Sequence, residues 1–494
     1  MDAGTTRRFF GHPRALSSLF FAELWERFSY YGMRALLVLF LVEAVNRGGL
    51  GLDDRSAAAL YGLYTAGVYI ASLPGGWIAD RLLGAQRAVL WGGLLITLGH
   101  LLLAIATGLP LFGTGLAVIV LGTGLLKPNI ASLVAALYPE GGARRDAGFT
   151  VFYMGINLGA VLGPLLTAGL AQRFGWHVGF LAAAAGMALG LGWYLATRSR
   201  LGEAGLRPTP HPQGKAGLRR DTRLLLGGSG VIAALALLVA SGVTGLTTMA
   251  LRGQAIYLIL ALVLAAFTYL LGFAGLTAQE RRRVGVLALL FVASAVFWSG
   301  FEQAGSSMTL FAERHTDRLV GGFEIPTGWF QSLNAGFIIV FAPLFSALWL
   351  WLGQRGRDLS IGAKFIGGLL GMALGFVVMA AAARLVAAGG QAGPVWLVLA
   401  YLLHTWGELA LSPVGMSATT RLVPARFVGL SMGLWYASLS LGNLLASQIA
   451  GEFDVSNLAA MPGQYLRIAV FGGVAALCLL CAVPLLRRWS ASAQ

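Results

Sequence analysis

The sequence predicts an all-α, polytopic membrane protein: two six-helix bundles joined through an inserted two-helix hairpin, fourteen spans in all. Three observations predict it. Hydrophobic residues fill 57% of the 494 positions and charged residues only 11%, whereas about a quarter of a soluble domain is charged. Apolar runs recur along nearly the whole chain, many reaching the roughly 20 residues that cross a bilayer. Basic residues gather in alternate connections between those runs, as cytoplasmic loops require.

The spans lie near 15–46, 55–80, 86–107, 112–137, 147–173, 176–197, 223–249, 253–277, 284–314, 327–353, 361–388, 394–421, 427–451 and 465–487. The stretch 198–222 is polar and basic, with Pro208, Pro210 and Pro212, and reads as a cytoplasmic linker. The pair 223–277 is apolar with no internal acid and reads as the inserted hairpin. Setting it aside leaves six spans within 1–197 and six within 278–494. Paired halves of this kind are typical of alternating-access carriers, whose substrate site lies at the midplane between them.

The formal charge is +15, from 35 Lys and Arg against 20 Asp and Glu. A basic chain suggests nucleic acid, but here the distribution is topological. One set of connections holds Arg81 and Arg87, Arg144 and Arg145, the stretch Arg198 to Arg223, Arg281 to Arg283, Arg355, Arg357 and Lys364, Arg421 and Arg426, and Arg487 and Arg488. The opposite set is poor in Lys and Arg and includes Asp53, Asp54, Glu452 and Asp454. Both termini are therefore placed in the cytoplasm, and nucleic acid is not an expected partner. Cys478 and Cys481 form a CxxC inside the last apolar run, where packing is the expected role. The first apolar run is long and carries charges, unlike a signal peptide.

Several activities are disfavoured. The three lysines, Lys127, Lys215 and Lys364, are followed by Pro128, Ala216 and Phe365; a P-loop needs Lys followed by Ser or Thr. No HExxH occurs, and no metal or organic cofactor is expected. The GxSxG at Gly429 to Gly433 lies in an apolar helix, without the preceding strand of a hydrolase. The chain is read as no enzyme. Its 69 glycines, with the ladders Gly155, Gly159, Gly163 and Gly367, Gly371, Gly375, read as close helix packing.

Ionisable side chains at mid-bilayer cost several kcal/mol and mark function by default. Glu23, Arg27, Tyr30 and Arg34 are spaced 4, 3 and 4 on one face of the first span, beside Glu26 and Tyr31. A structural ion pair competes as a reading of Glu23. Lys127 lies in Gly122 to Asn129 with apolar sequence on both sides. Snorkelling from a helix end is the plainer account, but a buried lysine can lose its proton near neutral pH, and function is favoured. Glu302 and Glu408 sit among aromatic and small residues, and Pro413 after Ser412 marks a kink or break. Tyr153 and Asn157 form a polar pair at i,i+4. Gln331 and Asn334 suit interhelical bonding. Cations in the first half and acids in the second suit a zwitterion, or any polar solute carrying two opposite charges.

Glu23 to Gly32 reads ExxERFxYYG and resembles the signature of the proton-dependent oligopeptide transporters, a branch of the major facilitator superfamily. Gly76 to Gly84, Gly124 to Asn129, Phe152 to Asn157, the Phe-Glu-Gln around Glu302 and Gly407-Glu408 are similar to further family motifs. The resemblance covers about 15–450 and implies a major facilitator fold and proton-coupled symport of di- and tripeptides into the cell. It implies that Arg34 and Lys127 bind the peptide carboxylate, that Asn157, Asn334 and Glu408, with Ser412 nearby, hold its amino end, and that Tyr30, Tyr69 and Trp435 line pockets. Glu23, Glu26 and Arg27 with Lys127 would form the proton network, Glu302 a further protonatable group, and Arg34 with Glu302 a gate salt bridge. Animal members carry a histidine in helix two where alignment on Tyr69 and Asp80 places Gly62, so any proton route here omits it. The expected setting is the inner membrane, as a monomer, with protons as coupling ion. The alternative is a carrier of another small anion, nitrate-like or drug-like, on the same fold.

Overall fold

Long apolar stretches broken only by short polar turns leave the backbone one economical choice within a bilayer, the α-helix, because every N–H and C=O is then satisfied inside its own segment. The structure, a computed structural model, describes residues 9–139, 142–208, 214, 216–220, 222–223, 227, 248–357, 359–453 and 457–490. Its helices are α1 (Ala15–Val42), α2 (Asp54–Ile78), α3 (Ala85–Ile105), α4 (Leu109–Ala136), α5 (Gly142–Phe174), α6 (Trp176–Thr197), α7 (Thr248–Thr268), α8 (Ala278–Phe301), α9 (Ser307–His315), α10 (Ser332–Gln354), α11 (Ile361–Ala387), α12 (Val395–Arg421), α13 (Val428–Glu452) and α14 (Met461–Ser490). One two-stranded hairpin pairs β1 (Leu319–Val320) antiparallel with β2 (Phe323–Glu324). Eleven helical stretches among the described residues are long and apolar enough to cross a membrane. α1 and α13, 28 and 25 residues long, are also long enough, at about 1.5 Å per residue. The span read at 223–249 lies almost entirely outside the described residues, as do Pro210, Pro212, Lys215 and Asp454.

The chain forms two compact units. The first holds residues up to Gly51 and from Gly67 to Ala250; the second holds Leu52–Ala66 and everything from Leu251. The units differ from a simple division of the chain in that the first turns of α2 belong to the second unit. Within the first, α1 packs on α5 and α6, and α3 on α4 and α6. The packing is glycine-mediated. Gly159 presses on the Leu24 carbonyl and Gly163 on that of Phe28, while Gly155 meets the Phe20 ring, so the ladder on α5 lies flat on α1. Thr167 closes the same seam by donating to the Gly32 carbonyl at 2.9 Å. Within the second unit, α11 packs on α12 and α14, and α8 on α13 and α14. There the close-packed row is Gly368, Gly371 and Gly375 against α12, while Gly367 only grazes Ala410.

Four sequence expectations need correction. The span expected at 284–314 is a single membrane-length stretch, Ala278–His315, but a 3₁₀ turn over Glu302–Gly305 divides it into α8 and α9. α8 also starts earlier, because Thr277 and Glu280 form a capping box that takes Arg281 to Arg283 into its first turns. Of the kink or break expected at Pro413, the break is ruled out, since α12 runs helical through it, and the interruption lies in the other acid-bearing span. Cys478 and Cys481 are exposed on α14 and unpaired, and do not pack inside the bundle.

Candidate functional site

In the first unit the charged stripe of α1 folds into a buried cluster. One helical turn brings Arg27 Nε to 3.1 Å from Glu23 Oε1, and the same nitrogen donates to Glu26 Oε2. Glu23, Glu26 and Arg27 are 3%, 0% and 4% exposed. Burying each charge costs several kcal/mol, which the pairing only partly offsets. Glu23 Oε2, Glu26 Oε1 and Arg27 Nη2 are buried without a hydrogen-bond partner among the described residues. Two carboxylates thus share one guanidinium, and each keeps an unused oxygen.

Further cations lie on aromatic faces. Lys127 Nζ stands 4.3 Å from the centroid of the Tyr69 ring, Arg34 5.9 Å from Tyr31, and Arg27 5.2 Å from Tyr30. Such contacts stabilise a poorly hydrated cation by about 0.5–2 kcal/mol. Lys127 also acts electrostatically on Glu23. Its motif explains its placement: Gly124 presses on the Ala71 carbonyl, Gly75 on that of Gly124, and Asn129 Nδ2 donates to Gly75 O at 3.2 Å and Leu125 O at 2.6 Å. Small residues thus seat α4 against the inner part of α2, and Tyr69 comes to lie beside Lys127. Asn157 is buried, and its amide donates back to the Tyr153 carbonyl at 3.0 Å.

In the second unit Glu302 opens the 3₁₀ turn that separates α8 from α9 and is 3% exposed. It accepts the hydroxyl of the fully buried Tyr61 at 3.2 Å. Side chains brace the 3₁₀ turn: Gln303 Nε2 donates from it to the Ala446 carbonyl of α13 at 2.9 Å, and the Thr309 and Tyr401 hydroxyls donate to Ala304 O at 2.7 and 3.3 Å. The second acid is half-buried on α12. Asn334 Nδ2 donates to Glu408 Oε2 at 2.8 Å and to Thr405 Oγ1 at 3.1 Å, and Thr405 is itself fixed on the Tyr401 carbonyl.

The structure therefore brings together Glu23, Glu26 and Arg27; Lys127 and Tyr69; and Asn334 and Glu408. Ser412 lies half-buried one turn after Glu408. The Trp435 indole is 4% exposed and packs against Gly415, near Leu287 and Phe291. Gln331 bonds Thr309 at 3.1 Å, the bracing role expected of it. Sequence reasoning missed Tyr61 and Thr405, which fix the two acids. A signal for Tyr61 existed, since Tyr61, Thr65 and Tyr69 fall four apart on one helix.

Spanning helices that carry buried acids and cations, one of them interrupted at an acid, define a multi-pass membrane transporter rather than an inert helical bundle. The chain belongs to the POT family, whose profile matches residues 86–467. It is 43% identical to the peptide transporter YePEPT of Yersinia enterocolitica over 98% of this chain and 96% of that one. It is 36% identical to a di-/tripeptide transporter of Lactococcus lactis, over 92% of each. Among solved structures it resembles a crystal structure of the peptide transporter POT in complex with sulfate, with TM-score 0.91, 42% identity, and 98% of this chain and 97% of that one covered. It also resembles a POT family transporter in complex with 5-aminolevulinic acid, with TM-score 0.88, 34% identity, and coverage of 97% and 98%. The major facilitator architecture expected from the motifs is that of these neighbours.

Proposed function

We propose that this protein takes up di- and tripeptides by proton-coupled symport, through alternating access. The observation that carries the reading is the α1 cluster: two buried carboxylates on one guanidinium, each with an unused oxygen able to accept a proton. The names of the relatives in Yersinia and Lactococcus support peptides as the substrate class.

In this reading Arg34 and Lys127 receive a carboxylate. The Asn334–Glu408 pair, with Asn157 and Ser412, receives an ammonium, and Tyr30, Tyr69 and Trp435 shape the pockets. Those are the two charges of a peptide's ends. Glu23, Glu26 and Arg27, coupled to Lys127, carry the proton, and Glu302 on Tyr61 is a second protonatable group. A membrane potential contributes about 2.3 kcal/mol per charge per 100 mV, enough for roughly 50-fold accumulation at a one-to-one ratio. The functional division into 1–197, a linker at 198–222, a hairpin at 223–277 and 278–494 belongs to this proposal. So do a monomeric state, an inner-membrane location with cytoplasmic termini, and the proton as sole coupling species with no cofactor.

Reconstitution into liposomes tests it. Glu26→Gln and Lys127→Ala abolish proton-driven accumulation of a dipeptide yet retain peptide exchange. Full accumulation in both would sink the coupling scheme. Failure of di- and tripeptides to compete for uptake would instead point to another small anion as cargo.

A further inference from the structure

The second unit holds a cavity that none of these roles uses. α13 and α14 each pack on α8, and the cleft they leave between them encloses about 320 Å³, at the lower end of the roughly 300–1,000 Å³ typical of small-molecule sites. Its floor is apolar, with Leu445, Ile449, Phe453, Ile468 and Phe471. Its rim is polar and carries both signs: Arg467 and Gln464 from α14, Glu452 and Gln448 from α13. The rim lies at the last turn of α13 and the first turns of α14, where these helices approach the water interface.

Three features say what fits. The flank of α14 beside the cavity is apolar and exposed, with Leu466 39%, Val470 55% and Phe471 47% exposed, so the cleft borders the hydrocarbon. The opposite charges on the rim are not spent on each other: Arg467 forms no ion pair among the described residues, and Glu452 accepts Gln448 Nε2 at 3.2 Å. Arg252 of α7 lies within electrostatic reach of Glu452, but its Nη1 donates to the Ser447 carbonyl at 3.1 Å. Gln464 Oε1 is buried without a hydrogen-bond partner among the described residues. A cation, a carboxylate and an unpaired amide oxygen around an apolar floor match an amphiphile whose head carries one anion and one N–H cation.

We propose that this cavity binds a membrane phospholipid with a primary-amine headgroup. Its phosphate sits on Arg467, its ammonium on Glu452 and Gln464, and one acyl chain enters between Ile449 and Phe471. An anionic lipid leaves Glu452 facing like charge, and a trimethylammonium head offers no N–H to the two acceptors.

Native mass spectrometry of the full-length protein in detergent tests it, with phosphatidylethanolamine, phosphatidylglycerol and phosphatidylcholine of identical chains as probes. The expected order is the ethanolamine lipid over both others by about tenfold, the scale of one charge-assisted hydrogen bond. Arg467→Gln weakens the ethanolamine and glycerol lipids alike. Glu452→Gln removes the preference between them. Ile449→Trp fills the floor and weakens all three. The two rim residues are exposed, so their variants keep the test valid if the tryptophan variant fails to fold. Equal retention of the three lipids by the unmodified protein, or unchanged ethanolamine-lipid binding in Arg467→Gln, overturns the proposal. Displacement of the lipid by a soluble dipeptide would also overturn it, assigning the cleft to a water-borne zwitterion.

Discussion

Replacing Arg27 with methionine isolates the energetics of the α1 cluster. The side chain stays unbranched and flexible but is shorter, and the charge and donors are gone. Glu23 and Glu26 are 3% and 0% exposed and cannot turn to water, so both lose their shared partner at once. Stripping one partner from a buried ion pair costs about 3–5 kcal/mol. At roughly 2–4 °C per kcal/mol for a domain of about 150–250 residues, the melting temperature should fall by about 6–20 °C. Adding Glu23→Gln and Glu26→Gln to the same chain removes the stranded charges. Since replacing a whole buried ionic group by neutral residues is often close to neutral, the triple variant should regain most of the loss. Scanning fluorimetry in detergent measures both, and liposome uptake should show the triple variant folded but unable to accumulate peptide on a proton gradient. An Arg27→Met protein melting within about 2 °C of the parent, or a triple variant no more stable than the single, would refute the reasoning.

Further outcomes follow from single contacts. Gly159→Ala drives a methyl into the Leu24 carbonyl, which is backbone and cannot move aside, and should cost at least about 1–3 kcal/mol. Gly113→Ala, with open space around it, should leave the melting temperature the same or slightly raised. Tyr61→Phe takes the hydroxyl from buried Glu302 and should destabilise by about 1.5–3 kcal/mol; an unchanged melting curve would remove Tyr61 as the support of that acid. Asp53 caps α2, accepting from the Arg55 and Ser56 amides at 3.0 Å each and from the Ser56 hydroxyl at 2.7 Å. The Ser56 hydroxyl, with these amides, holds the carboxylate below its ordinary range. The cap's contribution is therefore complete above the unfolded carboxylate's titration and is lost as pH falls through the lower folded value. Asp53→Ala should cost about 1 kcal/mol at neutral pH, with the gap to the parent closing below about pH 4.

What could be read from the chain divides along a physical line. Glu23, Arg27 and Arg34 were legible because helix periodicity alone puts them on one face, and charge in an apolar run needs a reason. The glycine ladder on α5 was legible because spacing by four defines a seam. The break at Glu302 was not, because its causes are tertiary: Gln303 reaches α13, and Tyr401 comes from α12. No proline marks it, whereas Pro413, which suggested a break, sits in an unbroken helix. Tyr61 and Thr405 escaped notice because their partners lie 241 residues away and on another helix respectively. The span expected from 284 begins at Ala278 because the Thr277 capping box carries charged residues into its first turns.

The interruption between α8 and α9 has one more consequence. A helix that loses its regular ladder at membrane depth ordinarily becomes a soft point, where amides exchange with solvent and the rod can flex. Here the turn is held on two sides: the Gln303 side chain donates to the Ala446 carbonyl of α13, and the Tyr401 and Thr309 hydroxyls both donate to the turn's Ala304 carbonyl. The joint is braced and Glu302–Gly305 are all buried, so its amides should exchange as slowly as those of the helices on either side. Glu302 is thereby held on a rigid corner rather than a hinge, a fixed point in space for whatever its carboxylate meets.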